Sequence, residues 1–450
     1  MRGAAPRLRQ WWADLLASFW LRPAAMTGAA ALLAEALVRL DGAIELPSPV
    51  SAWVYAGGVA GARDVLGTVA TATIGVAGTT FSITVAALTL ASTQMGPRLL
   101  RNFTSDPGNQ YALGALLATF VYALVALRSV HEAEDVSFVP HLAVSVALLL
   151  AFACVAVLIW FIHHIATSIS VDRVVALVHR DLSAAVATLP PRDDPPPAAE
   201  GGDGAAGPAD ALRAPSRGGY LRVLDEDALA DWAAGRDAVL RLSIRPGDFA
   251  FPGATVGEAR PPGRRAEAEE ALHAAMALGE TRNAEGDLEF LVRQLVEIAL
   301  RALSPGINDP FTAVAVLDRL GATLCAMAGR RLPDGRTLRD GRVRLSRPVT
   351  TYAGLLDAMF HPLREAGGAQ PVVSIRLMEV LAQVAGVEHA PARRAELRRH
   401  LVLARDAALR GAPDASVREA VAARHAAALA VLDGPALPDG PRPGMLRGGT

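Results

Sequence analysis

Two long uncharged runs in the first 170 residues limit what this chain can fold into more than any other feature. Residues 65–93 (VLGTVATATIGVAGTTFSITVAALTLAST) and 139–168 (VPHLAVSVALLLAFACVAVLIWFIHHIATS) contain no Asp, Glu or Arg. A helix needs about 20 apolar residues to cross the hydrocarbon core of a bilayer, so both runs can span it with some tilt. Two weaker candidates accompany them. Residues 111–127 are shorter but uncharged, with Tyr111 and Arg128 as interfacial anchors, and residues 23–40 are Ala-rich and carry Glu35 and Arg39. The composition points the same way. With 52% hydrophobic and 20% charged residues, the chain is more apolar than a soluble fold of this length requires. The expected fold class is mostly α: a four-helix transmembrane region over residues 23–170, with spans at about 23–40, 65–93, 111–127 and 139–168, followed by an α+β region.

Arginine placement gives an orientation. Arg2, Arg7, Arg9 and Arg22 precede the first span, Arg98 and Arg101 separate the second from the third, and Arg173 and Arg180 follow the fourth. The alternate loops hold Arg63, and Arg128 against Glu132, Glu134 and Asp135. The positive-inside bias then places both termini in the cytoplasm, with residues 1–22 as an amphipathic cytoplasmic segment and the first helix uncleaved.

Several function classes drop out on composition. A formal net charge of −1 supplies no basic field for nucleic acid. The chain has no lysine, which removes a Walker-type phosphate lysine, a Schiff base and any lipoyl or biotinyl attachment. Cys154 and Cys325 lie far apart, so neither a disulfide framework nor a CxxC metal site is expected. No metal set, cofactor motif or catalytic constellation is read from the sequence, and His163 and His164, being adjacent, point to different helix faces.

Beyond the membrane region, residues 171–187 read as an amphipathic helical extension and the Pro/Gly/Ala-rich residues 188–218 as a flexible linker. Residues 219–258 read as a small β module, strand, short helix, strand, turn and strand. Its RPGDFAFPG portion is like the half-barrel of carrier domains without the attachment lysine. Residues 265–433 read as a helical domain with 265–330 helical throughout, interrupted at 331–348 by a hairpin with Asp334-Gly335 and Asp340-Gly341 turns. Residues 434–450 read as a disordered tail.

Three sets of residues are candidate sites. At 100° per residue, Thr68, Thr71, Gly75, Gly78, Thr79, Ser82, Thr89 and Thr93 share one face of the second span. Such a hydroxyl stripe suits either close helix packing or a water-filled path lined by assembled protomers. Glu35 is an intramembrane carboxylate with Arg39 one turn away, and Arg98 and Arg101 stand at the inner mouth. The third set is the corner Ser304-Pro305-Gly306-Ile307-Asn308-Asp309-Pro310. There Pro305 and Gly306 end one helix, with Gly306 taking the left-handed conformation, and Asp309 caps the next with Pro310 at its first position. Ser304, Asn308 and Asp309 are also a possible ligand group for a cation or a phosphate-bound metal.

RQLVEIALRALSPGINDPFTA, together with FSITVAALTLASTQMGPRLLRNF, resembles an uncharacterised family of predicted bacterial membrane proteins, a domain-of-unknown-function family. The TQMGPR-like and SPGINDP stretches carry the resemblance. It implies several N-terminal spans and a cytoplasmic region, and no established activity. The combined expectation is a multi-pass protein of the bacterial inner membrane whose partners are the lipid bilayer and copies of itself. Its second span is expected to line a regulated ion channel or transport pore gated by the cytoplasmic domain. A membrane-anchored signalling or scaffold protein without a pore is the alternative, and a membrane-tethered metal-dependent enzyme using Ser304, Asn308 and Asp309 stays open.

Overall fold

The structure is a computed structural model that describes residues 19–43, 54–95, 106–133, 136–168, 170–192, 207–282 and 287–435. Two compact units divide them, one ending at Arg173 and one beginning at Val174. Arg98, Arg101 and the tail 436–450 lie outside the described residues.

The first unit contains helices α1 (Leu21–Ala43), α2 (Val59–Met95) and α3 (Pro107–Ser129), the short hairpin β1 (His131–Ala133) and β2 (Val136–Phe138), and α4 (His141–Ser168). All four helices are long and apolar enough to cross a membrane. α3 is central, packing against α1, α2 and α4. Its Gly114 faces α1 where a Cβ would lie 2.6 Å from Met26 Sδ, so glycine is what lets the two backbones approach. Polar groups at the end of the bundle near α4's start are satisfied by partners on neighbouring helices. Tyr122 donates its hydroxyl to the Ala143 carbonyl at 3.0 Å, and Asp41 accepts the Leu142 and Ala143 amides at the start of α4.

The second unit begins within α5 (Val171–Ala187), which buries Val174, Val175, Val178, Leu182 and Val186. The β module follows: β3 (Asp210–Arg213), β4 (Gly219–Leu224), α6 (Glu226–Ala234), β5 (Val239–Leu242), β6 (Phe249–Ala250), β7 (Thr255–Arg260), α7 (Arg265–Ala275) and β8 (Met276–Gly279). Helices α8 (Leu288–Ala302) and α9 (Pro310–Met327) come next, then β9 (Arg336–Arg339) and β10 (Arg342–Ser346). The chain closes with α10 (Tyr352–Gly367), α11 (Pro371–Val387), α12 (Pro391–Gly411) and α13 (Ala415–Asp433). The strands form a five-stranded sheet, β3-β7-β5-β10-β9, and a three-stranded sheet, β6-β4-β8. Leu212, Leu221, Leu229, Leu240, Leu242, Leu272 and Leu345 fill the core between them and α6 and α7. α9 is also apolar enough to span a bilayer. It packs instead against α8 and α11, burying Ala313, Val316, Leu317, Leu320 and Leu324, while Asp318 on its outer side pairs with Arg376 at 2.6 Å.

Three expectations are corrected here. The segment read as a linker is anchored at both ends. Arg331 donates its amide to the Pro190 carbonyl and Arg192 to that of Gly329, while residues 210–213 pair with β7, because their alternation buries Leu212. Residues 276–279, read as helix, form β8 and pair with β4, which seats Met276 in the core. The hairpin read as part of the helical domain extends the β module's sheet, with Leu345 of β10 parallel to Leu240 of β5. Its turn has the expected chemistry: Asp340 (φ 53) and Gly341 (φ 73) are both left-handed, as a type I′ turn requires.

Candidate functional site

On α2, which is uncharged after Asp64, two hydroxyl rows run along opposite faces. Thr68, Thr71, Thr79, Ser82 and Thr89, with Gly75 and Gly78, are exposed in the single chain. Larger apolar groups that are also exposed, Ile74, Phe81 and Val85 on one side and Ile83 on the other, flank them. The bundle is met by Leu66, Val69, Ala70 and Ala77, together with the second row, Thr73, Thr80 and Thr84, all buried. The exposed row therefore points away from the helices of its own unit. Its hydroxyls bond back to their own helix: Thr79 to the Val76 carbonyl at 2.8 Å, Ser82 to Gly78 at 3.0 Å and Thr89 to Val85 at 2.9 Å. Thr93 lies on the same helix, but its side chain is outside the described residues. Thr68 also edges an apolar cleft of about 230 Å³ lined by Val76, Leu116, Cys154 and Val155.

The buried row is missing from the sequence reading. The spacing of residues 73, 80 and 84 is as helical as that of the exposed row, and in a segment without charges nothing local tells the inner face from the outer one. Thr73 and Thr84 bond to the Val69 and Thr80 carbonyls, and the buried Thr80 hydroxyl has no partner. Glu35 is held by Arg39, whose Nη2 lies 2.9 Å away, and by Arg128 at 3.5 Å.

At the corner, α8 stops at Ala302 and the chain turns through hydrogen bonds from the Ile307 and Asn308 amides to the Ser304 carbonyl. The left-handed residue is Asn308 (φ 50), which corrects the assignment to Gly306. Asn tolerates this conformation better than other residues with a Cβ. Pro305 and Gly306 are simply exposed on the bend. Asp309 caps α9, with Pro310 first in the helix: its carboxylate accepts the Thr312 amide at 3.2 Å and the Thr312 hydroxyl at 2.6 Å. The Thr312 hydrogen bonds hold its pKa below the usual carboxylate range. Asn308 Oδ1 accepts from Gln370 Nε2, and the Ser304 hydroxyl donates to the Arg301 carbonyl. Asp309 and Asn308 thus spend their oxygens on the protein itself. Asp309→Ala is expected to cost roughly 0.5–2 kcal/mol in denaturant unfolding, and Asp309→Ser only a few tenths. Equal losses for both would contradict the capping role.

A second polar centre joins the β module to α8. Arg245 donates to Glu289 Oε2 at 2.6 Å and to Thr350 at 2.8 Å, while Arg293 pairs with the other Glu289 oxygen. Burial pushes the Glu289 carboxyl up, but the two guanidinium groups outweigh it and hold it below its usual range. Beside them Arg282 pairs with Asp287 at 2.6 Å, and Gly247 (φ 98) sits where a Cβ would collide with Asp287 Oδ2. Among the described residues, Asp357, His361 and His400 bring three metal-ligating atoms within 4.8 Å of one another.

Apolar helices long enough to span a bilayer, followed by an α+β unit rich in ion pairs, define a multi-pass membrane protein. The chain belongs to the family described as predicted membrane protein (DUF2254), which it matches over residues 17–383. Uncharacterized proteins of Mycobacterium tuberculosis and Mycobacterium bovis are 34% identical to it over 390 residues, covering 83% of this chain and 73% of theirs. No solved structure matches.

Proposed function

We propose that the chain is the protomer of an oligomeric membrane pore in which the exposed hydroxyl row of α2 faces the conduction path. The observation that carries this reading is the direction of that row: hydroxyls and glycines lie on the face turned away from the bundle, flanked by larger apolar side chains. A face meeting only lipid gains nothing from a central polar stripe. A face meeting the same helix of another copy gains close backbone approach from Gly75 and Gly78, and hydroxyls to line water. The C-terminal unit then acts as a cytoplasmic gating or assembly element. The second reading, an anchored scaffold without a pore, is favoured by the return of each hydroxyl to its own carbonyl, the arrangement of a dry helix seam.

Single cysteines in a chain lacking Cys154 and Cys325 separate the two readings. In a pore, small water-soluble thiol reagents label cysteines at Thr79, Ser82 and Thr89 in membranes and leave Ile74 and Phe81 unlabelled. Uniform resistance at all five positions favours the scaffold. The same experiment tests orientation. An impermeant reagent on intact cells is expected to reach a cysteine at His131, between the third and fourth spans, and not one at Ser170. The reverse pattern would invert the topology.

A further inference from the structure

Asp357 and His361 stand one turn apart on α10, and His400 reaches them from α12. His361 Nε2 lies 2.8 Å and His400 Nε2 3.1 Å from the same oxygen, Asp357 Oδ1. A tetrahedral ion with bonds of about 2.0–2.1 Å to oxygen and nitrogen spaces its ligand atoms roughly 3.3 Å apart, close to both distances. His400 is poorly served by its hydrogen bonds. His400 Nε2 faces the Asp357 acceptor and also lies 3.2 Å from the Arg399 guanidinium, a donor. One imidazole nitrogen cannot serve both, whichever tautomer it holds. The ring is 1% exposed and its Nδ1 has no partner, so the protein holds this histidine by packing and by its Nε2 side alone. Phe360 and His361 provide that packing, with ring centroids 5.7 and 5.1 Å away.

We propose that Asp357, His361 and His400 form a binding site for a divalent transition metal of the zinc class, with Arg399 standing in the cation position until the metal displaces it. Two imidazoles and a carboxylate suit such an ion. Asp357 and His361 are 41% and 34% exposed, which leaves room for a water as fourth ligand. Displaced from Asp357, Arg399 keeps an acidic partner, Glu396, at 2.8 Å. Arg364 lies 3.2 Å from His361 Nδ1, the nitrogen that carries the hydrogen once Nε2 ligates, so metal binding requires Arg364 to turn towards Glu365, 3.5 Å away. Bound metal would clamp α10 to α12 whether or not the protein conducts. The Asp-x-x-x-His spacing on α10 is visible in the sequence, but the third ligand lies 43 positions from Asp357.

The test uses the full chain in detergent, stripped with a chelator and titrated with zinc by calorimetry and with cobalt by visible spectroscopy. One equivalent is expected to bind with a dissociation constant of about 1 μM or tighter. Cobalt is expected to show the visible bands of a low-coordinate site, and the unfolding midpoint should rise. His361→Gln and Asp357→Asn, each checked for an intact fold without metal, should weaken binding more than about 100-fold, beyond what replacing an outer-shell residue costs. Arg399→Gln should bind as tightly as the native chain or more so. If neither the native chain nor Arg399→Gln takes up metal, or if binding survives His361→Gln, the cluster is an ion-pair network and the proposal is overturned.

Discussion

Glu388→Ala is expected to destabilise the C-terminal unit by about 3 kcal/mol, lowering its unfolding midpoint by roughly 6–12 °C. Glu388 has no exposed surface and follows the last turn of α11. One oxygen pairs with Arg192 at 2.8 Å and accepts the Ala390 amide, and the other lies 3.3 Å from Arg393. Arg393 also donates to the Met327 and Arg330 carbonyls. Removing the carboxylate leaves two guanidinium groups facing each other without a counter-charge, and the segment after α5 loses its charged tie to the helical domain while keeping its backbone ties at Gly329 and Arg331. Asp227→Ala should be nearly silent by comparison, because Asp227 is exposed and its partner Arg339 keeps Asp231. A Glu388→Ala chain as stable as the native protein would show that this carboxylate is not the anchor of the segment.

The sequence was most informative where local chemistry decides the structure. The α2 and α4 spans are legible because a long stretch without charges has few other solutions, and the Asp309 cap and Asp340-Gly341 turn because each is set by a few neighbouring residues. Residues 188–192 read as linker because Pro-Pro-Arg has no periodicity. They are held by the Gly329 carbonyl, the Arg331 amide and the Glu388 carboxylate, which no local pattern reveals. Asn308 takes the left-handed position that glycine seemed to claim, since the bend closes on the Ser304 carbonyl after Gly306 has passed. The two faces of α2 are alike in composition, so sequence finds the hydroxyls but cannot say that Thr73, Thr80 and Thr84 turn inward. The Asp357, His361 and His400 cluster depends on α10 meeting α12, a tertiary event.

The second large effect concerns conduction. If the exposed row of α2 lines an assembled path, then filling it with bulk must close that path, since Ser82 and Thr79 would sit where water passes. In a packed seam the same change forces backbones apart and breaks assembly instead. Ion flux through vesicles containing purified Ser82→Cys chain, measured before and after attachment of a bulky thiol reagent, tests the account most directly. The predicted result is a potential-driven flux above protein-free vesicles that falls to their level on modification, while a Phe81→Cys chain is unaffected. Vesicles that never conduct above the protein-free level, or a flux that ignores modification of a fully labelled Ser82→Cys chain, would contradict it.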